Sequence, residues 1–382
     1  MKRLKGLAAA LAATAIAAAS LGTMAQAAPP ETLSEGPGPG GVSSDNIEWV
    51  KNIGISFDGV GGRLVGDYFY TNDQNKMMIL DVSDPLNPRL TGFLPMPQEF
   101  LFSREDIDTN GKIMVLPQTA RGLHVIDVED KSNPQILATV AGNQHTQSCI
   151  LDCTWAYGSD GNIHDLRDPS NPKLLQEKWG TGKPAQTGHD VTEVSRGMVL
   201  TATQPMMLLD ARKNPANPKL LALGGNEDRR FMHTVLWPRK GKDKFILAGG
   251  ETLVPRCSDR NGAFMVWDAS KWKKKKTFTM IDEYRMRNGT YTDGSPAVNP
   301  AGCSSHWLQE HPKFKNGGLV AAAFFDHGTR LIDVSSKGKI KEIGYFMPWG
   351  GSTGAVYWIT DEILYAVDYN RGIDILRYTG KK

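Results

Sequence analysis

Apolar residues in this chain come in short β-rich runs separated by Gly, Asn, Asp and Pro, with no stripe repeating every three to four positions. That pattern predicts strands and turns rather than helices. One run keeps returning. MMILDVSDPLNPRLTGFLP from Met77 recurs as LHVIDVEDKSNPQILATVAG from Leu123, NIHDLRDPSNPKLLQEKWG from Asn162 and MMLLDARKNPANPKLLALGG from Met206. Weaker copies are FMVWDASKWKKKKTFTMID from Phe264, TRLIDVSSKGKIKEIGYFMP from Thr329 and IDILRYTGKK from Ile373. The equivalent positions Asp81, Asp127, Asp165, Asp210, Asp268, Asp333 and Arg377 are 46, 38, 45, 58, 65 and 44 residues apart. This period suits a four-stranded blade, so the expected fold is all-β, a seven-bladed β-propeller.

Each unit should run from an innermost strand, through a second strand such as IMVLPQ or MVLTAT, to the strand that ends in Asp. An Asp-Pro-x-Asn-Pro turn then leads into an outer strand, because Pro fixes φ and the Asp carboxylate accepts from turn amides. The last unit stops without an outer strand. Residues 46–54, ahead of the first unit, should supply it and close the ring.

The phrases MMILDVSDPLNPRL, LHVIDVEDKSNPQI and IHDLRDPSNPKL resemble the LVIVD-repeat family of bacterial exported β-propellers. The likeness is strongest in the first four units. In the fifth and sixth, Lys-rich and Gly-containing segments replace the turn. The resemblance implies a propeller and supplies no reaction.

The first 27 residues read as a signal peptide: Lys2, Arg3 and Lys5, an Ala/Leu-rich run, then Ala25-Gln26-Ala27 as cleavage site. Residues 28–43 read as a flexible Pro/Gly leader and 44–382 as the propeller. The protein is expected to be exported, periplasmic or extracellular, without a membrane span and monomeric. Of the 44 basic residues three lie in the signal peptide, which leaves 41 against 41 acidic ones. That balance argues against nucleic acid as a partner.

Aligning second strands places Glu105, His145, His189, His233 and His306 at the starts of innermost strands, with Ala355 in the last unit. Glu105 and His189 each stand nine residues before the same Met-Val-Leu. Innermost strands line a propeller's channel, so the four imidazoles should converge near its mouth. Two readings fit. They could bind Zn, Cu or Fe with Glu105 behind them, giving a metal-dependent, oxidative enzyme. Alternatively, His at this place belongs to the repeat, as His189-Asp190-Val191 looks like LVIVD consensus, and the mouth serves as a module binding a protein or small molecule.

Longer segments at 249–262 and 282–303 should lie over that mouth, making Arg256, Tyr284, Arg285, Arg287 and Tyr291 candidates for contacting a ligand. Cys257 and Cys303 fall in these two loops and are expected to pair, as are Cys149 and Cys153, among the three connectivities four cysteines allow. Asp106 to Gly111 imitates a calcium loop but has Pro117 at its twelfth position, and reads as a turn. The run Lys271 to Lys276 reads as a solvated turn.

Overall fold

The computed structural model describes residues 40–54, 61–96, 105–118, 122–141, 145–225, 231–252, 257, 259–286 and 302–380. The chain is all-β and propeller-like. Gly62–Val65, Tyr68–Asn72, Lys76–Asp81 and Arg89–Pro95 form one antiparallel four-stranded sheet in chain order. Asp108–Thr109, Ile113–Gln118, Gly122–Asp127 and Gln135–Val140 form the next. Gln147–Ile150, Trp155–Gly158, Ile163–Asp165 and Lys173–Leu174 follow the same order.

An eight-stranded sheet comes next. Val191–Ser195, Met198–Thr201, Met206–Asp210 and Lys219–Gly224 make one half, and Met232–Leu236, Phe245–Gly250, Phe264–Asp268 and Thr277–Tyr284 the other. The halves meet where Leu223 and Gly224 pair in parallel with Thr277 and Phe278. Leu308–Glu310, Gly318–Ala323, Thr329–Val334 and Ile340–Pro348 form a sheet that Gly41–Ser43 extends at its outer edge. The last sheet has Thr353–Trp358, Ile363–Asp368 and Gly372–Tyr378, and its fourth strand is Ile47–Ile53. The register runs from Ile47 opposite Tyr378 to Ile53 opposite Ile373.

The core lies between sheets. Middle strands such as Phe245–Gly250 and Ile363–Asp368 are buried throughout, which explains the apolar runs FILAGG and ILYAV in them. Six hydrophobic clusters each join four-strand units consecutive in the chain, one of them the two halves of the eight-stranded sheet, and a seventh joins the last unit to the first through Phe69, Leu80, Tyr365, Val367 and Ile373. The turn carboxylates act locally. Asp81, Asp127, Asp165, Asp210 and Asp268 each accept from the amide two residues on, at 2.8 to 3.1 Å. After Asp333 the corresponding amide, of Ser335, bonds instead to the Lys339 carbonyl at 2.8 Å, because the shorter turn with Gly338 at φ 77° replaces the Pro-containing one.

Two expected boundaries shift. Gly41–Ser43, assigned from composition to the flexible leader 28–43, is a strand. Pairing there needs only backbone, and Gly41 sits so close to Met347 that a Cβ would lie 2.6 Å from its carbonyl oxygen. Residues 282–284, assigned to a loop, continue the outer strand Thr277–Tyr284. Among the described residues no helix is long and apolar enough to cross a membrane.

Candidate metal centre

The five residues singled out by their place in the repeat come together. Glu105, His145, His189 and His306 stand two or three positions ahead of inner strands, and His233 lies within one. Backbone pairing continues past the strand ends and sets their position. The His189 amide bonds the Ala202 carbonyl at 3.1 Å, the His306 amide that of Ala323 at 2.8 Å, and the Glu105 amide that of His145 at 3.4 Å. In the first sheet the neighbouring position is Gly61, where a Cβ would meet the Glu105 carbonyl oxygen at 2.5 Å. Ala355 of the last sheet is buried and offers no ligand atom.

Glu105 is the hub. Its Oε1 lies 2.9 Å from His233 Nε2 and 2.5 Å from His306 Nε2, and its Oε2 lies 3.2 Å from His189 Nε2 and also contacts His145 Nε2. His145 and His189 bring their Nε2 atoms within 3.1 Å of each other. The rings fan round the carboxylate, with centroids of His189 and His233 3.8 Å apart and those of His233 and His306 3.9 Å apart. Exposure falls along the row: the His145 side chain is 33% exposed, His189 9%, His306 1% and His233 0%. Access from outside is therefore at the His145 edge.

Ring tautomers follow from the far nitrogens. Nδ1 of His189 faces the His233 carbonyl oxygen at 3.1 Å, and Nδ1 of His306 faces that of Gly354 at 2.5 Å. A carbonyl only accepts, so both Nδ1 atoms carry protons. In a neutral ring Nε2 then presents a lone pair, and both lone pairs aim at an acceptor-only carboxylate. Such a contact is repulsive unless a proton or a cation lies between. Protonation of the whole cluster is opposed by burial: His233 is held well below the ordinary imidazole range by burial and by the neighbouring His189 and His306. Burial would raise the Glu105 carboxyl, but the positive charge that the surrounding imidazoles carry when protonated outweighs it and holds the carboxyl well below the usual range.

Three ligand groups share the place, each with donor atoms within 4.8 Å of one another: Glu105, His233 and His306; Glu105, His145 and His189; and His189, His233 and Glu251. Glu251 is not among the inner-strand positions aligned from the sequence; it follows the end of the second strand Phe245–Gly250. Phe231, also absent from the sequence expectations, is exposed with its ring 5.6 Å from that of His189.

Beneath the hub the residues that follow two of the ligands, Asp106 and Asp190, line a cavity of about 250 Å³ with Arg63, Thr234, Glu310 and Tyr357. Burial pushes the Asp106 carboxyl well up, against the pull of Arg63. Burial also brings Glu310 to about 7.

The loop candidates divide. Tyr284 and Arg285 lie at the end of an outer strand, where the Tyr284 hydroxyl bonds Glu342 and Arg285 Nε is 3.5 Å from Glu283. Two strands separate Thr277–Tyr284 from the strand carrying His233, roughly 14 Å at ordinary strand spacing. Arg256, Arg287 and Tyr291 lie outside the described residues. The cysteines pair as expected: Cys149 with Cys153 and Cys257 with Cys303 have their sulfurs at bonding distance.

Residues 63–94 match the family model described as LVIVD repeat, which bears out the resemblance for that unit. No curated protein sequence matches the chain at a significant level. Among solved structures, one titled "Structure of U3-55K" superposes with a TM-score of 0.57 at 10% identity, over 88% of this chain and 99% of that one. At that identity the likeness speaks to the fold alone.

Proposed function

We propose that the chain is an exported seven-bladed β-propeller whose channel mouth holds a transition-metal ion, with His145, His189, His233, His306 and Glu105 as its donors. The blade count rests on seven consecutive four-strand units, the last completed by Ile47–Ile53, and on hydrophobic clusters shared by each neighbouring pair. Residues 1–27 act as a signal peptide cleaved near Ala27, and the two cysteine pairs suit an oxidising compartment.

One observation carries the metal reading: the carbonyl partners of His189 and His306 turn two Nε2 lone pairs onto the Glu105 carboxylate. A cation at that point converts mutual repulsion into ligation, and backbone carbonyls on the far nitrogens are the usual device for aiming metal-bound imidazoles. Imidazole and carboxylate donors suit Zn, Cu or Fe. When bound, such an ion supplies Lewis acidity or electron transfer to a small ligand arriving at the His145 edge. The chain's own residues orient the donors and, through burial, keep water from the deep side.

Elemental analysis of mature protein, stripped and reloaded with Zn, Cu and Fe in turn, tests this. One equivalent of a transition metal is expected, and none in the His189→Ala/His306→Ala variant. Failure of the wild-type protein to retain any of the three metals would return the mouth to a metal-free binding module.

A further inference from the structure

The end of the channel away from the His cluster carries a second feature. Inner strands begin beside the histidines, so the turns that follow them lie at the opposite end. There a groove of about 990 Å³ opens between the two halves of the eight-stranded sheet. Its walls come from Ser195–Met198, the Pro238–Lys244 turn and the Ser270–Lys274 turn.

Seven cations line this groove: Arg212, Lys240, Lys242, Lys244, Lys271, Lys273 and Lys274. Arg212 is paired with Asp210 at 2.6 Å, and Lys244 Nζ bonds the Ser336 carbonyl at 2.5 Å. The other five lysines are exposed and make no ion pair among the described residues. Asp243 is the one acidic lining residue, and its two oxygens are taken by the amides of Phe245 at 3.0 Å and Asn316 at 2.7 Å. In a chain with 44 basic and 41 acidic residues, this is a local concentration of uncompensated charge.

The floor is apolar. Met198, Leu221 and Trp272 are half-buried there against the cluster containing Trp237 and Phe278. Trp272 stands edge-on to Trp237 at 5.9 Å. Its ring is flanked by the ammonium groups of Lys273 and Lys276, each 5.9 Å from the centroid.

We infer that this groove binds an acidic peptide segment of a partner protein, one that carries apolar side chains between its carboxylates. The lysine rim attracts the carboxylates, and Met198, Leu221 and Trp272 receive the apolar side chains. Lysines are point charges without the planar fork that selects bidentate phosphate, so the rim reads charge more than group geometry. Polyphosphate would leave the apolar floor uncovered, and a nucleobase would compete with two ammonium groups for the Trp272 face. A flat anionic bilayer does not enter a recessed groove. This inference is independent of the metal reading.

The test uses full-length mature protein and a fluorescein-labelled peptide of repeated Glu-Glu-Leu, followed by anisotropy at low salt. Saturable binding is expected, roughly tenfold weaker in Lys271→Glu/Lys274→Glu and weaker again as NaCl screens the rim. A peptide of Glu alone should bind less well than the Leu-containing one. Lys240→Gln/Lys242→Gln, at an exposed turn, provides a second variant, and unchanged melting temperatures show that both retain the fold. Absent or non-saturable binding, undiminished binding by both variants, or stronger binding of polyphosphate or phosphatidylglycerol vesicles would overturn the inference.

Discussion

The two ends of the channel manage charge in opposite ways. At the His end, Glu105 and three imidazoles are nearly sealed from water and each is the other's partner. At the far end five lysines stand in solvent and make no ion pair among the described residues. A buried cluster senses its members at close range in a low dielectric, so it is specific and insensitive to salt, whereas an exposed rim acts through a screened field. Geometry therefore sets selectivity at one end and charge density at the other.

The largest expected effect removes the frame that both ends share. Deleting residues 41–54 strips the last sheet of its fourth strand and exposes the partners of buried Ile47 and Ile53. Calorimetry should show a melting temperature lower by more than about 10 °C. Deleting residues 28–39 should change it little, and equal losses in the two truncations would sink the seam.

A sharper separation comes next. His306→Ala should abolish tight metal binding in calorimetric titration and leave peptide affinity unchanged, while the Lys271→Glu/Lys274→Glu variant should do the reverse. Cross-effects in both directions would mean that the ends are not independent. Glu251→Gln should weaken metal binding by roughly tenfold, the scale on which supporting carboxylates act. No change on titration would confine the donor set to the repeat positions.

The last effect is on acid stability, is spread over a range of pH and belongs to neither end. His164 is fully buried, its ring nitrogens have no hydrogen-bond partner among the described residues, and burial lowers its pKa to about 4. The unfolded ring, near 6.5, binds the proton first, so stability falls as pH drops from about 6.5 towards 4, by up to about 3 kcal/mol. His164→Leu should flatten that part of a urea-denaturation series against pH; an unchanged slope would assign acid sensitivity elsewhere.

The repeat made most of the fold and the hub readable. Glu105 and His189 share a distance from the same Met-Val-Leu, and a shared distance on equivalent strands becomes a shared height in the channel. Glu251 escapes this reasoning because it stands after a second strand and not at the start of an inner one, where the repeat alignment was read. The groove escapes too: Arg212, Lys240 and Lys271 lie in three separate turns, and only the packing of two half-sheets brings them together. Composition misjudged Gly41–Ser43, since edge pairing asks nothing of side chains. It also placed Tyr284 and Arg285 over the mouth because the outer strand runs longer than the turn signals suggested.

The strand Ile47–Ile53 has one more consequence, for the order of events during folding. Its partners Ile373 to Tyr378 lie in the last strand among the described residues. Until those residues are available, Ile47–Ile53 lacks the strand it pairs with, and joining the two closes a loop of more than 300 residues, from Ile53 to Ile373. The entropy of that closure makes the seam a late step and the folding rate slow for a protein of this size. A nascent chain that has not yet presented Ile373–Tyr378 would thus carry an unpaired strand at its front and an open sheet edge at its back, each a template for a neighbouring chain.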